Sequence, residues 1–412
     1  MLDYLVRNAC LTGENALVDL AVADGKIVEI GQSIAGDGPS FDAPSFDATG
    51  QLLSCGFVES HIHLDKACIL DRAKNETGTL QGAISAVANA KSGFTEDDIY
   101  ARGARVIEKA ITEGTNAVRT HVEIDPGIGL AGFNAIKRLK ADYAWAMDIE
   151  ICVFPQEGLF NYPGTEELLR QALDNGADLL GGCPYMDTDP HGQILRLFEM
   201  ARDYDVDLDF HLDFDLDTSW RHLDEVAKQS IAFGWQGRVM IGHVTKLSVL
   251  PKPELDDTIA IMRDAGIGLT VLPATDLFLT GRDHDHSVPC GVAPAHKLAA
   301  HGVCCTIATN NVLNPFTPYG DCSLSRMANL YANVSQLATE AELENCFAMV
   351  SDAPAKLLGR SSKIAVGEAA SFIVLPAQSR AQVVSEISRP IWGMKEGRVT
   401  FEHPAARLFK PA

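Results

Sequence analysis

His61-Ile62-His63 is the pattern in this chain with the most chemistry in it. It ends an apolar run that passes through Leu52-Leu53 and Phe57-Val58. Alternate side chains of an extended strand share a face, so both imidazoles can reach one metal ion. Imidazole is the commonest side-chain metal ligand near neutral pH. His211 and His243 stand at the ends of two later strand-like segments, 207–211 and 239–243, and His121 ends a third, 117–121. Three neutral imidazoles around an open coordination position make a catalytic divalent-metal site that activates water near neutral pH.

Such residues need a scaffold that gathers strand ends. Strand-like segments fall at 52–57, 117–121, 148–154, 179–182, 207–211, 239–243, 268–272 and 303–308. Amphipathic helix-like stretches lie between them at 97–113, 165–175, 194–204, 223–233 and 255–265. Eight strands alternating with helices read as an α/β fold, a (β/α)8 TIM barrel spanning residues 53–360. A doubly wound sheet is the other arrangement. The barrel is preferred because ionisable residues collect at the C-terminal strand ends, where barrel active sites lie. Residues 1–52 and 361–412 read as one small β-sandwich domain. Asp24-Gly25 turns a hairpin between 16–22 and 26–30, and 370–375, 391–394 and 398–401 are strand-like.

The run Gly56-Phe57-Val58-Glu59-Ser60-His61-Ile62-His63-Leu64-Asp65 resembles the first metal motif of the amidohydrolase superfamily, in its bacterial cytosine deaminase branch. Arg119-Thr120-His121-Val122-Glu123, Phe154-Pro155-Gln156-Glu157-Gly158, Asp209-Phe210-His211-Leu212-Asp213, Ile241-Gly242-His243 and Asn310 through Phe316 are similar to successive motifs of that branch. Asp65-Lys66 also resembles the N-isopropylammelide isopropylamidohydrolases. The resemblance implies one divalent metal, zinc or iron first and manganese or cobalt next. Its ligands would be His61, His63, His211 and a residue on the last barrel strand, here Asn310. The resemblance also puts His243 beside the activated water or substrate, and Gln156 on the amide edge of a ring.

Two positions depart from the branch. Asn310 stands where the family has an aspartate, and an amide oxygen is a neutral ligand and a poor base. Phe214 stands where cytosine deaminases carry a catalytic glutamate. The proton work then falls to other groups. Asp213, two residues after His211, shares its inward face if the strand continues. Lys66 can reach the mouth, although its place after Asp65 also suits a surface or helix-start residue. His243 is the third candidate. The expected function is metal-dependent hydrolysis of a non-peptide C–N bond in a small nitrogen heterocycle or substituted amide or amine. Cytosine deamination proper and a non-catalytic binding protein on the same scaffold are the alternatives.

Bulk properties agree with a globular enzyme. The 412 residues are 46% hydrophobic and 22% charged, with a formal net charge of −21. That acidity argues against nucleic acid and anionic membranes as partners and leaves a small-molecule substrate, with a homo-oligomer possible in this family. The first residues show no basic-then-apolar export pattern. Ten cysteines with no Cys-x-x-Cys pair suit a reduced, cytoplasmic setting.

Overall fold

The computed structural model describes residues 2–12, 16–34, 43–404 and 406–409. The chain opens with β1 (Tyr4–Leu11), β2 (Val18–Ala23), β3 (Lys26–Gly31), β4 (Ser45–Asp47) and β5 (Leu52–Cys55). Asp24 and Gly25 both take left-handed backbone, with φ of 49° and 73°, as a tight turn between β2 and β3 requires. β6 (Phe57–Ile62) follows Gly56. The sequence reads 52–57 as one barrel strand, and the structure corrects this. β5 leaves the barrel and pairs with the C-terminal β14 (Phe372–Leu375), while β6 starts the barrel.

Among the described residues the barrel is eight parallel strands. After β6 come β7 (Thr115–Glu123), β8 (Asp148–Phe154), β9 (Leu179–Gly182), β10 (Leu208–Leu212), β11 (Val239–His243), β12 (Ile267–Val271) and β13 (Cys305–Ile307). The ring closes between the last strand and the first. Ile62 bridges Asn310, the Asn310 amide donates to the His61 carbonyl at 2.9 Å, and the His63 amide donates to the Asn310 carbonyl at 2.8 Å. Barrel closure therefore fixes Asn310 between the two histidines.

One face of the strands packs outward. Val118, Val122, Ile151, Phe210 and Ile241 join helix residues such as Ile107, Ile136, Leu197 and Val226 in the main core. The alternate residues turn inward. They include Arg119, His121, Asp209 and His211, all buried. Arg119 meets Asp209 across the barrel interior at 3.0 Å.

β15 (Trp392–Lys395) and β16 (Arg398–Glu402) complete the small domain, whose strand order is β16-β15-β14-β5-β1-β2-β3. This sheet folds on itself around β1, whose first half pairs with β2 and β4 and whose end pairs with β5. Val6, Leu20, Val22, Leu53, Phe372, Val374 and Trp392 fill the sandwich between its halves. Their strand neighbours Leu52, Ile373 and Leu375 face the main core, so one strand pair glues the two bodies together. No helix among the described residues is long and apolar enough to cross a membrane.

Candidate metal centre

His61 leaves β6 beside Gly242, whose missing side chain gives the ring room. A Cβ there would lie 3.2 Å from His61 Cε1. His63 follows one turn of the pleat later, and His211 stands on β10. The Nε2 atoms of His61 and His63 lie 3.1 and 3.0 Å from His211 Nε2. Nitrogens held about 2.0–2.1 Å from one zinc ion sit about 3.3 Å apart at a tetrahedral centre, close to this spacing. Burial, reinforced by neighbouring imidazoles, holds all three rings well below the ordinary histidine pKa. They are neutral and offer lone pairs. The side-chain oxygen of Asn310, whose backbone bonds to His61 and His63, is buried with no hydrogen-bond partner. Such an orphaned acceptor next to converging nitrogens is what a bound cation satisfies. The donor set fits a divalent metal.

His121 adds a fourth ring to the centre. It stacks on His61 with centroids 3.8 Å apart, and ring nitrogens of His61, His121 and His211 lie within 4.8 Å of one another. Its Nε2 is 3.5 Å from Asp209 Oδ1. Burial lowers the pKa of His121 against the pull of Asp209. Sequence reading noted His121 as a strand end but left it out of the ligand set. Its inward alternation with Arg119 and Glu123 is the signal that places it here. Phe154 stacks on the other side of the centre, 4.6 Å from His211.

His243 ends β11 with φ of 70°, and Val244 follows at 48°. Left-handed backbone at a β-branched residue is strained, and such strain collects at functional sites. His243 donates from Nδ1 to Asp276 at 2.6 Å, which leaves Nε2 free. Burial lifts the Asp276 carboxyl above its ordinary value, against His243 and the Leu272 amide. Phe214 stacks flat on the other face of His243, 3.9 Å away and 16° from parallel.

Asp213 is not in this group. β10 ends at Leu212, and Asp213 turns out of the strand with φ of 47°. Its carboxylate accepts the amides of His222 at 2.9 Å and Leu223 at 3.1 Å. It anchors the start of the helix Leu223–Phe233, where a carboxylate meets free amides. The reading of an inward-facing base rested on a continuing strand, and the strand stops.

Lys66 is buried, which overturns the surface reading. Its Nζ lies 2.7 Å from Glu123 Oε1 and donates to Gln156 Oε1 at 3.3 Å. The Phe316 ring lies 4.4 Å from the same ammonium. Gln156 Nε2 faces Cys183 Sγ at 3.5 Å. Glu123 is shared with a second buried cation, Lys91, at 2.5 Å, and Lys91 also meets Asp125 and Glu157 at 2.9 and 3.1 Å. Glu123 compensates both buried ammoniums, and Asp125 and Glu157 supply the further negative charge at Lys91. The sequence motifs contained Glu123 and Glu157 but gave no sign that Lys91, from a helix, would join them.

A model of the amidohydrolase family matches residues 104–401. The chain belongs to the amidohydrolase family. It is 26% identical to the N-isopropylammelide isopropyl amidohydrolase of Pseudomonas sp. (strain ADP), covering 96% of both chains. It is 28% identical to the pterin deaminase of Rhizobium rhizogenes over 92% of this chain and 87% of that one. The crystal structure of 5-methylcytosine deaminase from Klebsiella pneumoniae liganded with 5-fluorocytosine superposes with a TM-score of 0.92, at 26% identity and 99% coverage of each chain. The cytosine deaminase-like branch of the superfamily is thus where this chain falls.

Proposed function

We propose that this amidohydrolase hydrolyses a non-peptide C–N bond of a small nitrogen heterocycle or a substituted amide or amine. The approach of the His61 and His63 Nε2 atoms to His211 Nε2, with the orphaned oxygen of Asn310, whose backbone bonds to both His61 and His63, carries the reading. These four residues would hold one divalent ion, with zinc or iron the first candidates. When bound, that ion supplies Lewis acidity and an activated water.

The chain's own residues do the rest. His243 is oriented by Asp276 so that Nε2 faces inward, which suits it to move a proton at the reacting carbon or leaving nitrogen. Lys66, locked between Glu123 and Gln156, serves as a fixed positive charge rather than a base. With the Gln156 carbonyl oxygen occupied by Lys66 and one amide hydrogen directed at Cys183 Sγ, the second amide hydrogen is left to meet a substrate acceptor. Phe214 contributes no proton, so the acid step of a glutamate-assisted deaminase is not available at its position.

Chelation of the purified protein should abolish turnover of heterocyclic amines and amides, and added zinc or iron should restore it. Full activity in metal-free protein would sink the proposal. The second reading, a binding protein without turnover, is favoured by the pair Asn310 and Phe214. Metal retained at one ion per chain, with no product from pyrimidines, triazines, pterins or amides, would decide for it.

A further inference from the structure

Phe214 has two faces. One stacks on His243; the ring also lines a cavity of about 600 Å³ on the mouth side of the barrel. Ile84, Tyr185, Met186, Trp220 and Leu279 line the same cavity. Gln81, Asp215, Arg282, Asp283 and His284 line it too. Phe214, Ile84 and Leu279 belong to one apolar cluster with Phe316, and Phe316 is the ring beneath the Lys66 ammonium. The rings that lie against His243 and against Lys66 thus belong to one apolar cluster.

The wall is also fixed in place. Lys246 is fully buried and donates from Nζ to the Trp220 carbonyl at 2.8 Å, with Asp215 Oδ1 at 3.2 Å. Thr245 donates to the Asp215 carbonyl at 2.8 Å. These bonds tie the segment carrying Phe214 and Trp220 to the end of β11, so the cavity is preformed.

Cavities of roughly 300–1,000 Å³ bury drug-sized ligands. None of the centre's histidines lines this one, so a single six-membered ring held at the histidines leaves it unfilled. An apolar extension laid against Phe214, Ile84, Met186 and Leu279 gains by leaving water. We propose that the cavity is a specificity subsite for an apolar group of several carbon atoms, such as a benzyl, carried by the heterocyclic substrate. Phe214 is its floor and a specificity-determining residue. This rests on the hydrolase reading above.

The test uses the metal-loaded full chain and two rings with no exocyclic C–N bond to cleave. Calorimetry should show 4-benzylpyrimidin-2-one binding about tenfold or more tighter than pyrimidin-2-one, with a more negative heat-capacity change. Ile84→Trp should fill the cavity and erase that preference while pyrimidin-2-one binds as before. Leu279→Asn, a second variant, should reduce the preference as well. Equal affinities in the wild type, a preference untouched by both variants, or no binding of either ring would overturn the proposal. Because binding is read without turnover, a benzyl preference in a protein that hydrolyses nothing would refute the hydrolase reading and leave the subsite standing.

Discussion

His243 and Asp276 form a buried pair at 2.6 Å, placed by two neighbouring barrel strands whose ends would otherwise have no reason to meet. Asp276 fixes which imidazole nitrogen carries the proton and which faces inward. Replacing Asp276 by Asn keeps the shape and removes that control. Asp276→Asn should lower kcat/KM by roughly 100- to 10,000-fold, the range of a general acid–base contribution. Metal content should stay at the wild-type level. An unchanged rate with intact metal would remove His243 from proton transfer.

Glu123 sits between two buried ammoniums, at 2.7 Å from Lys66 and 2.5 Å from Lys91. Removing the charge of one partner of a buried ion pair typically costs about 3–5 kcal/mol, because the other charge remains without compensation. Glu123→Gln should therefore lower the free energy of unfolding by about that amount, read as a shift in the urea midpoint. Lys66→Met in the same background should recover part of the loss, since Lys66 is the ammonium left stranded, whereas Lys91 keeps Asp125 and Glu157. Additive losses from the two changes would mean that the residues do not act as a unit.

Much of this centre was legible before any coordinates. A barrel collects its strand ends, so histidines ending separate apolar segments had to meet, and His61, His63, His211 and His243 do. The segments 239–243 and 223–233 match β11 and its preceding helix residue for residue. What escaped depended on backbone turns and on partners from other elements. Asp213 was misplaced because alternation assumes extended backbone, and a left-handed turn at an aspartate leaves no mark in sequence. The continuous apolar run across Gly56 hid a change of sheet, since both strands are buried. Asp276 lies in a short helix, Pro273–Leu279, beyond a strand end, and its pairing with His243 exists only once β11 and β12 lie side by side. Lys66 and Lys91 can be buried because Glu123 receives both, with Asp125 and Glu157 also on Lys91.

His222 gives a pH dependence of known sign. It lies beside the start of its helix, and burial, then His191 and Lys246, push its pKa down to about 4 from 6.5. Between these values the unfolded chain binds a proton that the folded chain refuses. Stability contributed by the neutral ring is complete above pH 6.5 and is lost as pH falls toward 4. The melting temperature of the wild type should therefore drop further between about pH 7 and about pH 4.5 than that of His222→Gln. Parallel curves for the two proteins would show that this ring is not what refuses the proton.

Asn310 holds the last prediction. Its backbone amide and carbonyl close the barrel on His61 and His63, and its side-chain oxygen has no partner. Its φ of 65° is one that aspartate tolerates as readily as asparagine. Asn310→Asp therefore changes the charge of the donor and little of its shape, and the metal-free variant, with a buried carboxylate that lacks a partner, should melt below the wild type. A carboxylate binds a divalent ion more strongly than a neutral amide and accepts a proton as the amide does not. The variant should hold its metal about tenfold or more tightly in competition with a chelator, by analogy with the 10–100-fold effects of weaker, outer contacts. Turnover should rise with it, because a base then stands beside the activated water. Unchanged metal retention would show that position 310 does not touch the ion, and the fourth ligand would have to be sought at His121.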